Sequence, residues 1–147
     1  MELNHAKKLA LELMEKHKLS NWKFEFDTAK RRFGSCQHRA MKITLSKALT
    51  VLNSEAHMRD TILHEIAHAL VPRQRHNEVW RKVALSIGCN GQACYGHEVI
   101  QPKRKLKGTC PECKRTILRD KANPIACGVC CKGKYNAAYK FVFTPNE

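Results

Sequence analysis

No run of roughly 18 apolar residues occurs anywhere in this 147-residue chain, which excludes a hydrophobic helical membrane span. Met1-Glu2-Leu3-Asn4-His5 carries no charged segment leading into an apolar one. The expectation is a protein that is not secreted and has no membrane partner, placed in a reducing cytoplasm or nucleoplasm, nuclear or nucleoid-associated. Length is limited as well: one modest domain and a small appendage fit, and a second large domain does not. Acidic residues are scarce. Thirteen Asp and Glu stand against 27 Lys and Arg, and the formal charge of +14 points to a polyanionic partner. The plainer reading of that charge is lysine that keeps a small protein soluble. Eight cysteines in an exported chain would suggest disulfides, but without an export signal their spacing favours metal binding.

What is present most distinctively is His64-Glu65-Ile66-Ala67-His68, an HExxH string. Positions i and i+4 share a helix face, so two imidazoles can bind one Zn²⁺ while Glu65 faces the water at its open position. The surroundings support a helix. Ser54 to Val71 reads as amphipathic, with Asn53 or Ser54 as N-cap, Met58, Ile62, Ile66, Ala69 and Leu70 inward, and Pro72 as the stop. Catalytic zinc keeps three protein ligands and one open position. His76, eight residues beyond His68 across Pro72-Arg73-Gln74-Arg75, is the natural third ligand, with Glu78 and Glu98 as rivals. Seven residues of helix put His57 about 10 Å from His64, too far to share the ion.

Asn4 to Lys18 reads as a first amphipathic helix, with Leu3, Ala6, Ala10, Leu13, Met14 and His17 on one side. Trp22 to Asp27 alternates as a half-buried strand does, Lys42 to Ser46 is a second strand, and Lys30 to Ser35 is a basic turn between them. The expectation is a small antiparallel sheet packed on the HExxH helix. An edge strand beside the metal could pair with an extended substrate backbone, although a structural hairpin has the same pattern. Asn77 to Ile87 reads as a further helix with Val79, Trp80, Val83, Ala84 and Ile87 inward, Trp80 under the metal site and Gly88 at C′. Cys89 to Gln101 shows no clear element. There Tyr95 and His97 are either transition-state hydrogen-bond donors or ordinary structural and surface residues.

After Gln101 the composition changes. Lys103-Arg104-Lys105-Leu106-Lys107 reads as a basic linker, the exposed stretch from Gln101 to Lys107 is a candidate site of autocleavage, and two CxxC knuckles follow. Cys110, Cys113, Cys127 and Cys130, with thirteen residues between the pairs, match a closed four-thiolate structural Zn²⁺ site. Cys131 is the alternative to Cys130; Cys36, Cys89 and Cys94 are left as free thiols. Arg115 to Leu118 reads as one strand and Lys134 to Phe143 as one or two more. So small a module folds only around its metal. Eight Lys and Arg against two acidic residues between Gln101 and Lys121 give +6. Lys103, Arg104, Lys105, Lys107, Lys114 and Arg115 are therefore candidate phosphate contacts, and Tyr135 or Tyr139 could stack on unpaired bases.

Together these residues resemble the SprT-like family, which includes the Spartan proteases of DNA–protein crosslink repair. The resemblance rests on Arg32-Phe33-Gly34-Ser35-Cys36 with the Ile43-Thr44-Leu45-Ser46 strand, on HExxH, on His76-Asn77-Glu78-Val79-Trp80, and on the four-cysteine ribbon. Asn77 stands where glycine often follows the third histidine. The resemblance implies an α+β, zincin-like metalloprotease domain over 1–101, with three main helices and a small antiparallel sheet, and a basic linker and zinc ribbon over 102–147. It further implies His64, His68 and His76 as ligands of a catalytic Zn²⁺, Glu65 as base, a second, structural Zn²⁺, and cleavage of proteins bound or crosslinked to DNA. The expectation is a monomer stimulated by DNA, single strands suiting the basic module at least as well as duplex. Two other readings are a DNA-binding zinc protein or scaffold without significant proteolysis, and a metalloprotease acting on free proteins.

Overall fold

The computed structural model describes every residue except His97. The chain divides into two compact units, Met1–Pro102 and Lys103–Glu147, and is of the α+β class. No helix among the described residues is long and apolar enough to cross a membrane.

The first unit opens with α1 (Leu3–Lys16), whose Ala6, Leu9, Ala10, Leu13 and Met14 recur at three- and four-residue steps and are buried. It ends by a Schellman motif. The Leu19 N–H bonds the Met14 carbonyl at 2.8 Å and the Lys18 N–H that of Glu15 at 3.1 Å, with Lys18 taking the left-handed conformation at φ 64°. Three strands follow: β1 (Lys23–Asp27), β2 (Gly34–Gln37) and β3 (Lys42–Ser46). Their order is β1-β3-β2.

β2 pairs antiparallel with β3, Ser35 opposite Thr44, but β1 lies parallel to β3, Phe24 opposite Ile43. The sheet is therefore mixed, which corrects the antiparallel expectation. The reason is connectivity. The chain reverses after β1, runs back as β2 on the far side of β3, and reverses again in the short turn at 38–41, so β3 is threaded between the first two strands in the direction of β1. Residues 34 and 35, read as the end of a basic turn, are the first half of β2. Its four residues with one glycine show too little alternation to be seen as a strand.

β3 is the central strand and is buried from Ile43 to Ser46. Ser46 ends it and caps α2 (Lys47–Leu52), accepting from the Leu49 N–H at 3.1 Å. Ser54 caps α3 (Glu55–Leu70), which buries Met58, Ile62, Ile66 and Ala69. Leu70, expected inward, is exposed, because α3 is in its last turn there and Pro72 carries the chain away. α4 (Glu78–Ser86) begins at Asn77, whose Oδ1 accepts from the Trp80 N–H at 3.1 Å. Asparagine at this position is thus explained as a cap. Trp80 and Ala84 are buried, while Val79, expected inward, is half exposed; it sits one position before Trp80 and so about 100° off the buried face. α4 ends as α1 does, with Gly88 at φ 96° and the Cys89 N–H bonded to the Ala84 carbonyl at 2.9 Å.

In the second unit β4 (Leu106–Thr109) lies between β5 (Thr116–Arg119) and β6 (Val142–Pro145), both antiparallel to it. Leu106 and Lys107, read as linker, are strand residues. The Asn146 side chain and N–H hold the carbonyls of Arg104 and Lys105 at 2.8 Å each, which ties the segment proposed for autocleavage into the unit. Of the stretch from Lys134, only Val142 and Phe143 are in a strand; Ala137–Tyr139 is a single 3₁₀ turn. Gly108 is buried at the centre, where a Cβ would meet the Phe143 ring at 2.8 Å.

Candidate metal centres

The first donor set is assembled by α3 and by the turn that leaves it. His64 and His68 project from one face of α3, and Pro72 to Arg75 return the chain so that His76, just before the Asn77 cap, meets them. The Nε2 atom of His76 lies 2.9 Å from that of His64 and 3.0 Å from that of His68. Neutral imidazoles whose ring nitrogens converge this closely repel through their lone pairs unless a cation or shared protons lie between them. A tetrahedral ion with Zn–N bonds of about 2.0–2.1 Å sets neighbouring nitrogens about 3.3 Å apart, close to what is found, so the residues fit a metal. Neither Glu78 nor Glu98 joins the set among the described residues, nor does His57.

Around the imidazoles lies a supporting layer. Trp80 packs against all three rings, with centroids 4.7 Å from His64, 5.2 Å from His68 and 4.7 Å from His76. Hydrogen bonds donated to the backbone of Gln92 and Gln74 hold the His64 and His68 rings. His38, which sequence reasoning missed, has its Nε2 2.8 Å from the His68 carbonyl, so that nitrogen carries the proton. No local pattern marks Gln74, Gln92 or His38, since each reaches the site only through tertiary folding. Burial lowers the His64 pKa to about 4, with the charges of His68 and His76 adding to it. The ring is therefore neutral and able to ligate at ordinary pH.

Glu65 is 8% exposed. Burial pushes its carboxyl up to about 8, opposed by the Arg32 guanidinium and reinforced by the Asp27 carboxylate. It shares the floor of an open cleft of about 580 Å³ with the three histidines; Arg31 to Cys36 form one wall and Ala93 to Gly96 with Val99 and Gln101 the other. Tyr95 lines that cleft, but its hydroxyl donates to Thr61 Oγ1 at 2.5 Å, and burial pushes the phenol up. His97 lies outside the described residues. Because the Ser46 N–H bonds the Phe33 carbonyl at 2.8 Å, alternation along the ladder turns the N–H and C=O of Gly34 and Cys36 away from β3. β2 thus presents a free edge among the described residues.

The second donor set is Cys110, Cys113, Cys127 and Cys130. Cys110 Sγ lies 3.8 Å from Cys130 Sγ, and Cys113 Sγ 3.7 Å from Cys127 Sγ. Tetrahedral Zn–S bonds of about 2.3 Å require about 3.8 Å, so these four sulfurs also fit the ion. Backbone N–H groups support the thiolate: Cys127 is lowered to about 7, the hydrogen bond from the Cys130 backbone contributing most. Cys131 turns away, its Sγ 3.8 Å from the Asn136 carbonyl. Cys36, Cys89 and Cys94 are free; burial pushes Cys36 up to about 12 and Cys89 up to about 11, so both stay protonated. Of the candidate phosphate contacts, Lys103, Lys105, Lys107 and Arg115 are exposed. Arg104 is instead paired with Asp120 at 2.9 Å, and the Lys114 ammonium donates to the Pro111 carbonyl at 2.7 Å.

Fold and donor sets define a chain with two groups able to hold a metal, one open to a cleft and one made of four thiols. The SprT-like family matches over residues 4–104, more than half of the chain, and the chain belongs to that family. Membership suggests a metalloprotease-type function, and zinc is the ion that suits both the family and the donors. No curated protein matches the chain.

Proposed function

We propose that the chain is a zinc-dependent endopeptidase acting on proteins bound or crosslinked to DNA, stimulated by DNA that is single-stranded at least in part. The observation that carries the peptidase reading is the convergence of His64, His68 and His76 beside the buried carboxyl of Glu65, on the floor of a cleft bordered by the free edge of β2. When bound, Zn²⁺ supplies Lewis acidity, polarising a carbonyl and lowering the pKa of water toward about 7. The three imidazoles hold it, with Trp80 and the Gln74 and Gln92 backbone fixing their planes. Glu65, kept ionised by the neighbouring cation against the burial that raises its pKa, would take the proton of the attacking water and return it to the leaving amine. The outward N–H and C=O groups of Gly34 and Cys36 bind an extended main chain, which selects by backbone and tolerates varied side chains. The four-thiol group holds a second, structural ion.

Charge supports the DNA half of the reading. The second unit carries 11 Lys and Arg against three acidic residues, and exposed lysines displace counterions from phosphates. The test is cleavage of a DNA-binding protein by the zinc-loaded chain, with and without single-stranded DNA, against Glu65→Gln of matched zinc content. Cleavage that needs Glu65 and DNA, and weakens between 50 and 200 mM salt, is the expected result. Cleavage indifferent to DNA would leave a general metalloprotease. No cleavage under either condition would leave a binding module.

A further inference from the structure

Gly34 is the point at which β2 touches Glu65. A Cβ built there would lie 3.0 Å from Glu65 Cγ, 3.1 Å from Glu65 Oε1 and 2.9 Å from the Thr44 carbonyl oxygen. The backbone does not demand glycine, because the positive-φ glycines are Gly88, Gly91 and Gly133. Space alone demands it. Cys36, two residues on and on the same face of the strand, keeps its side chain, while Ser35 on the opposite face hydrogen-bonds Thr44 at 2.7 Å. The missing side chain therefore coincides with a place where the Glu65 side chain lies against the strand. Gly34 is also one of the two residues whose N–H and C=O face the free edge.

We infer that Gly34 is the positioning residue for Glu65: its bare Cα lets β2 back the carboxylate directly, so that the same residue fixes the base and registers the substrate main chain against it. This rests on the reading of Glu65 as the base. A methyl group at position 34 must displace the glutamate side chain, the strand, or both. The rest of the carboxylate's surroundings gives it little freedom, since Glu65 is 8% exposed within a buried stretch of α3. The three atoms nearest that Cβ belong to Thr44 and Glu65 and none to an imidazole, so the change is expected to leave the metal ligands in place.

The test is a double-mutant cycle on the full, zinc-loaded chain, comparing Gly34→Ala in three backgrounds: wild type, Glu65→Gln, which keeps the side-chain shape, and Glu65→Ala, which removes it. The expected loss of Tm on Gly34→Ala is equal in the first two and about half as large or less in the third, because only there is the clash with Glu65 relieved. Zinc content is expected to be unchanged, and kcat for a peptide substrate to fall at least about tenfold with KM within about threefold, as misplacement of a reacting group by a fraction of an ångström requires. Equal Tm losses in all three backgrounds, or wild-type kcat in Gly34→Ala, would overturn the inference. If Gly34→Ala does not fold, its folding in the Glu65→Ala background supports the inference, and its failure there too assigns the whole effect to the Thr44 carbonyl and overturns it. A wild-type chain that cleaves nothing would sink the base assignment, and the Tm cycle would still report whether Gly34 positions the side chain.

Discussion

Trp80 offers the sharpest test of how the three-imidazole group is held. The indole is 1% exposed, and its centroid lies 4.7 to 5.2 Å from all three rings. Trp80→Ala removes core packing worth about 3–5 kcal/mol, a large part of the stability of a unit this size. It also removes the surface against which the imidazoles rest, and loss of such a supporting partner typically lowers metal affinity about 10- to 100-fold. At saturating zinc that weakening subtracts about 1.4–2.7 kcal/mol from the stabilisation zinc provides. Trp80→Phe separates the two effects. The indole Nε1 has no hydrogen-bond partner among the described residues, so phenylalanine strands no acceptor there and keeps a ring against the histidines, and it should retain most of the zinc affinity. The assays are chelator competition for affinity and denaturant midpoints with and without zinc. An alanine variant that folds and binds zinc as tightly as wild type would refute the reasoning, because α3 and the 72–75 turn would then suffice.

His76→Ala leaves two histidines at the cleft, and metal analysis should fall from two zinc ions per chain to one, with peptidase activity lost and the fold kept. A pH effect follows from Asp27. Burial raises its pKa, but the Thr44 hydroxyl, the Ala29 N–H and the Arg32 guanidinium together outweigh that and hold the carboxyl below its ordinary value of 3.8. A depressed folded-state pKa contributes stability that is complete above the unfolded value and is lost as pH falls through the folded one. Asp27→Asn should therefore lower stability at neutral pH and flatten the loss of stability below about pH 4, read from acid-unfolding curves; an unchanged slope would contradict the assignment.

The helices and most of the donor geometry were legible because their causes are local. Apolar spacing, serine and asparagine caps, and Gly88 mark α1, α3 and α4, and HExxH fixes two imidazoles by helical pitch alone. His76 was legible only as the best of three candidates, since its approach depends on how the 72–75 turn folds back. The parallel β1–β3 pairing was not legible: side-chain alternation says which face a residue takes and nothing about strand direction or order. α2 was hidden as well, six residues being too few to show a period. The inward positions that failed, Leu70 and Val79, lie beside element ends, where the buried stripe is narrower than periodicity suggests. Gly34 reads in sequence as a turn glycine, and only the approach of α3 gives it another meaning.

The two donor groups differ in what depends on them. In the first unit a contiguous core from Leu9 to Cys89, built on Met14, Ile43, Leu45, Met58, Ile62, Ile66 and Trp80, is made of the unit's own apolar side chains. In the second, the buried residues among those described are Gly108, Cys110 and Cys127, so on the proposed reading the four sulfurs take the place of a core, and structural zinc binding, about 10–16 kcal/mol in such modules, would in effect be its folding energy. The donors differ in the same sense: three neutral imidazoles on the floor of an open cleft, His76 exposed and His64 buried, against four thiolates, of which Cys110 and Cys127 are buried and Cys113 is exposed. A chelator should therefore strip the histidine group first, abolishing activity while amide resonances of both units persist. Only stronger chelation or acid should then remove the second ion, and with it the dispersed resonances of residues 103–147 alone. Collapse of the second unit in the first step, or its persistence after the second, would show that the thiol group does not hold that unit together.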